Sequence, residues 1–126
     1  MTTPYITIGF ALLTTLSAGL AQDKPLPLTR EQQQSFTPQE VLTRLKEGNA
    51  RFVAGKTICP NVTARIAASS TGQFPKAVVL GCLDSRVPVE AVFDQRIGDV
   101  FVGRVAGNIE NVDLLGSMEF GTKLAG

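Results

Sequence analysis

Lys76-Ala-Val-Val-Leu-Gly-Cys82-Leu-Asp84-Ser-Arg86-Val-Pro88 is the stretch on which the reading of this chain turns. An apolar run ends in a thiol, then a carboxylate, then a guanidinium, at alternating positions. Residues two apart on extended chain face the same side. Cys82, Asp84 and Arg86 are therefore expected to converge just past the end of a buried strand. A thiolate there suits a borderline-soft metal such as zinc, and a neighbouring carboxylate can ligate it or hydrogen-bond beside it. Arg86, always charged, can hold Asp84 in a two-pronged pair.

Working outward, Ala77–Gly81 is continuously apolar rather than alternating, the pattern of a parallel strand buried on both faces. Pro88 can open a short helix through Phe93. Asp99–Val105 reads as the next strand, and Asn111 can cap a helix whose Leu114, Leu115, Met118 and Leu124 share a face. Strand, helix, strand, helix indicates an α/β fold with a mainly parallel sheet flanked by helices. Ligands of such sheets sit beyond the carboxyl ends of strands, where Cys82 lies.

Upstream, Thr37-Pro38-Gln39-Glu40 opens a helix: Thr37 is the N-cap, Pro38 takes the first helical position, and Glu40 closes a capping box. Val41, Leu42, Leu45, Phe52 and Val53 form its apolar stripe, with Glu40–Arg44 and Glu47–Arg51 spaced for ion pairs on the wet face. Gly55 terminates it. A second helical stretch spans 61–70, and the Asn61-Val-Thr63 sequon is read as chance. Residues 22–36, polar and carrying Pro25 and Pro27, read as a flexible linker or arm.

The first 21 residues are set apart. From Ile6 to Ala21 the chain is apolar or small, with no acidic or basic residue before Asp23, and Gly19-Leu20-Ala21 offers small residues at a cleavage site. This is the pattern of a secretory signal peptide cut after Ala21, so export to the periplasm or outside the cell is expected. At about 16 residues the segment is short for a membrane anchor, which takes about 20. Two cysteines in an exported chain raise a Cys59–Cys82 disulfide. Such a bridge would consume the Cys82 thiolate, so Cys59 is read as a free thiol. A net charge of +1 over 126 residues, with cations scattered singly, argues against nucleic-acid binding.

With Cys82-x-Asp84-x-Arg86 and Val87-Pro88 in place, the chain resembles a β-class carbonic anhydrase. The resemblance runs from about Thr37 to Gly126. It takes in Arg44-Leu-Lys-Glu-Gly-Asn-Ala-Arg-Phe-Val-Ala-Gly-Lys56, Gln73-Phe-Pro-Lys76, Val89-Glu-Ala-Val-Phe-Asp-Gln95 and Gly98-Asp-Val-Phe-Val-Gly-Arg-Val-Ala-Gly-Asn108. It implies reversible hydration of CO2 to bicarbonate at zinc held by the Cys82 thiolate. Asp84 either ligates the metal in a resting form or turns to Arg86 and leaves that position to water. Gln73 would hydrogen-bond the substrate, while Phe101, Val105 and Ala106 would line an apolar wall for CO2. Zinc lowers the pKa of its water to about 7, which supplies hydroxide near neutral pH. The resemblance also implies a homodimer or larger homo-oligomer in which the helix after Thr37 packs on a partner. From the pattern alone, that helix could equally cover its own sheet.

One departure matters. The family completes its zinc site with a His-x-x-Cys pair on the following strand, and this chain contains no histidine. It is expected to be an N-terminal portion of such an enzyme (residues 37–126 forming part of the domain), binding zinc weakly and turning over negligibly. Other thiol chemistry falls on spacing. A thiol phosphatase needs Cys-x5-Arg, a redox enzyme Cys-x-x-Cys, and a dinucleotide site Gly-x-Gly-x-x-Gly after a strand. The competing expectation is a non-catalytic relative acting as a dimerisation or interaction module.

Overall fold

The computed structural model describes residues 27–58 and 62–126. The leader, Cys59 and Asn61 lie outside the described residues. In chain order come α1 (Arg30–Ser35), α2 (Pro38–Val53), α3 (Val62–Ala68), β1 (Val78–Cys82), α4 (Val89–Val92), β2 (Phe101–Val105) and α5 (Val112–Glu119). A 3-10 turn over Ala106–Asn108 follows β2, and a π turn over Phe120–Leu124 extends α5. The expected α/β class holds, with helices set around a two-stranded parallel sheet. Val78 stands beside Phe101 and Cys82 beside Val105, so both strands end level with one another.

Part of the segment read as an arm has regular structure. Thr29 caps α1, accepting from the Gln32 amide at 3.3 Å while the Gln32 side chain accepts from the Thr29 amide at 3.0 Å. Buried Gln33 then donates to the carbonyls of Pro75, at 2.6 Å, and Ala125, at 2.9 Å. The helix has only 6 residues, too few to show an apolar stripe. Its cap alone marked it.

The capping box of α2 forms as expected, and Gly55 follows the helix at φ 65°. Its inner face is different. Gly48 is buried so closely against the turn after α4 that an added Cβ would lie 1.9 Å from the Phe93 carbonyl oxygen. Asn49 donates to the Val92 carbonyl at 3.0 Å. Val41 and Leu45 share that face and are half-buried, whereas Leu42 and Val53 lie well round the helix and are exposed. The expected pairs on the wet face are replaced. Arg51 binds Asp94 at 2.5 Å, and Arg44 lies over the Phe36 ring at 4.6 Å.

Two further expectations are corrected. Every residue of β1 is half-buried rather than buried, because β2 is its one sheet neighbour among the described residues. On α5, Leu114 and Met118 turn inward, but Leu115 and Leu124 are exposed. Among the described residues Pro75, Val89 and Val100 are the buried apolar side chains, so most of the apolar side chains described keep some exposure.

Candidate functional site

The site is the carboxyl end of the sheet. Cys82 is the last residue of β1, and beside it β2 runs through Val105 into the 3-10 turn. That turn needs unusual backbone: Gly107 has φ 77° and Asn108 φ 43°, a region open to glycine and tolerated by asparagine. The result aims amides back at β1. The Gly107 N–H donates to Cys82 Sγ at 3.3 Å. Hydrogen bonding from the backbone of Gly107, and then of Asp84 and Asn108, holds the Cys82 thiol below its ordinary range, against the opposing Asp84 charge. Cys82 is a free thiol.

Asp84 and Arg86 meet as their spacing suggests. Arg86 Nε and Nη2 donate to the two Asp84 carboxylate oxygens at 3.0 and 2.7 Å, and the Arg86 amide adds a third bond at 2.9 Å. These bonds hold the Asp84 carboxyl down at about 2. The Arg86 side chain is 84% exposed and that of Asp84 27%, so the clasp is open to solvent. Arg104 is a residue that sequence reasoning missed. Its Nε donates to the Cys82 carbonyl at 2.8 Å and its Nη2 to the Asp84 carbonyl, tying the loop after β1 to β2. No short-range pattern links positions 22 apart, so only strand register could have revealed it.

The residues expected to touch substrate are not gathered here. Phe101 begins β2 beside Val78, at the opposite end of the sheet from Cys82, and its ring stacks edge-on with Phe120 at 6.5 Å between centroids. Side chains along a strand occupy different ends of it, so a residue four positions before Val105 cannot wall the same small volume. Gln73 is exposed in the loop ahead of β1, also towards its amino end. Ala106 does adjoin the site, at the start of the 3-10 turn, and is exposed.

Part of the chain is similar to known proteins. Residues 77–126 match the carbonic anhydrase family model. Carbonic anhydrase 2 of Mycobacterium tuberculosis (strain H37Rv) is 49% identical over 77 residues, which cover 60% of this chain and 37% of that protein. The carbonic anhydrase of Mycolicibacterium smegmatis is 52% identical over 77 residues, with the same coverage. Over this matched part the chain is similar to carbonic anhydrases. A solved structure of the β-carbonic anhydrase CcaA aligns at TM-score 0.44 and 29% identity, over 66% of this chain and 42% of that one. The chain thus spans little more than a third of the length of the curated relatives it matches.

The donor set fits a carbonic anhydrase metal site only in part. A thiol held towards its ionised form is a fitting zinc ligand. Yet no three His, Cys, Asp or Glu side chains gather to hold a metal among the described residues, and the chain has no histidine.

Proposed function

We propose that this chain carries the thiolate and the carboxylate gate of a carbonic anhydrase zinc centre, and that the centre hydrates CO2 reversibly once two further ligands complete it. The observation behind this reading is the Gly107 amide donating to Cys82 Sγ beside an Asp84 already clasped by Arg86. The relatives' names support the reaction. The described residues do not by themselves complete a tetrahedral metal site.

In this reading the chain's own residues divide the work. Gly107 orients the sulfur, Arg104 fixes the backbone on either side of it, and Arg86 keeps the Asp84 carboxylate engaged away from a ligand position. Cys82 and Asp84 are the metal-side residues, and Asp84 with Arg86 form the gate. Ala106 is the substrate-side residue at this end of the sheet. Phe101 and Gln73 lie at the other end, so a substrate role for Gln73 would be played in the site of another copy. We propose self-association on the same grounds, since Leu42 and Val53 of α2 leave apolar surface open. Export directed by residues 1–21 and a carbonic-anhydrase-like domain over 37–126, to which Gln33 of α1 is tied, complete the reading.

Cobalt(II) tests it. Titrated into the chain, cobalt should bind weakly and give a sulfur-to-metal charge-transfer band that Cys82→Ser abolishes, with negligible CO2 hydration in stopped flow. Adding the remaining length of the M. smegmatis enzyme after Gly126 should bring one tight zinc and turnover. A band that survives Cys82→Ser, or a grafted protein active without Cys82, would overturn the assignment.

A further inference from the structure

At the amino end of the sheet, far from Cys82, lies a cavity of about 220 Å³ whose wall is dominated by cations. Arg44, Arg51, Arg65, Lys76 and Arg96 line it, against Glu47, Asp94 and Asp99. Two of the three acids are already engaged. Asp94 is held by Arg51 at 2.5 Å and by the Ile58 amide at 3.0 Å. Asp99 is bound by Arg65, by Lys76 at 3.6 Å and by the Arg96 amide at 3.3 Å. That leaves the guanidinium groups of Arg44 and Arg96. Among the described residues, neither has a carboxylate within ion-pairing distance, and Arg44 rests on the face of Phe36.

These charges are close enough to oppose one another. Burial first, and then Arg44 and Arg96, hold the Lys76 ammonium below its ordinary range despite the pull of Asp99. Like charges converging on one partly enclosed space are stabilised by an anion placed between them. The available donors are two planar guanidinium forks, beside a Lys76 ammonium shared with Asp99, which suit the oxygens of phosphate or carbonate groups. The cavity far exceeds the roughly 10–15 Å³ that one water needs. Its remaining aromatic face is occupied by Arg44, which leaves no stacking surface for a nucleoside.

We infer that this cavity binds a small inorganic oxyanion, of the phosphate or bicarbonate type, between Arg44, Lys76 and Arg96. The site shares no residue with the Cys82 centre, so it stands whether or not the metal reading does.

Isothermal titration and thermal melting of the full chain would test it, with inorganic phosphate and bicarbonate as separate probes and potassium chloride at matched ionic strength as control. One or both oxyanions should bind saturably at millimolar concentration and raise Tm, and the tighter of the two identifies the source. Arg96→Gln and Arg44→Gln, both at positions that are not fully buried, should each weaken binding by roughly tenfold, as expected for loss of one charged hydrogen-bonding partner. Cys82→Ser should leave it unchanged. A response matched by chloride, no saturable binding, or binding retained in both arginine variants would overturn the inference.

Discussion

The two ends of this small sheet are built from different kinds of sequence information. At the carboxyl end, Cys82, Asp84 and Arg86 come from five consecutive positions, and their functional pairing is exposed to water. At the amino end, Arg65, Lys76 and Asp99 come from α3 and from the residues preceding β1 and β2. Arg65 is 1% exposed and Asp99 6%. The first cluster is chemistry carried on local spacing, whereas the second binds the fold together through long-range pairing. Substitutions should therefore separate them: stability at one end, ionisation and metal affinity at the other.

The largest effect is expected from Arg65→Met. It leaves Asp99 buried with Lys76 as its remaining cation, and removing one partner of a buried pair costs about 3–5 kcal/mol. Urea denaturation followed by circular dichroism reads this directly. A loss below about 1 kcal/mol would mean that the amino end holds the fold no more firmly than the exposed clasp does.

Gly48→Ala comes next. A methyl group there must displace the Phe93 carbonyl, so α2 would have to lift from the turn after α4. Overpacking of this kind costs about 1–3 kcal/mol. The same urea denaturation should show the loss while cobalt binding at Cys82 is retained.

The residues of the carboxyl end were legible because extended chain places alternate residues on one side, and a thiol, a carboxylate and a guanidinium so placed carry chemical meaning. The parallel strands and the α2 cap were legible for similar local reasons. What sequence reasoning missed depends on residues distant along the chain. Arg104 reaches Cys82 and Asp84 through strand register, and Gln33 anchors α1 across 42 and 92 positions. Asp99 looked like the start of a strand but is the hub of the buried ion network. The resemblance groups Phe101 with Val105 and Ala106 as one apolar wall, although the length of β2 separates Phe101 from the thiol.

Gly107→Ala probes the carboxyl end. Space for the methyl exists, with nothing within 4 Å, but φ of 77° strains any residue bearing a Cβ, at a cost of about 1–2 kcal/mol. If the turn relaxes, its amide leaves Cys82 Sγ. The thiol should then ionise at higher pH, which the pH dependence of its alkylation rate would record. An unchanged profile would show that Gly107 shapes the turn without influencing the sulfur.

Arg86→Ala should have the smallest effect on stability and the clearest effect on ionisation. An exposed, solvent-screened pair contributes little to stability, so Tm should scarcely move. The Asp84 carboxyl, held at about 2 by Arg86, should return towards its ordinary 3.8. The sign follows from the depressed folded value. The clasp's contribution is present above the unfolded pKa and is lost as pH falls towards about 2. In the variant, therefore, the carboxyl should titrate at higher pH, visible in carbon NMR of Asp84. In a completed centre the freed carboxylate is expected to occupy the ligand position beside Cys82, silencing CO2 hydration while the metal stays bound. Near-normal hydration by an Arg86→Ala version of the grafted protein would show that the clasp is no gate, and that the carboxyl end differs from the amino end in exposure alone.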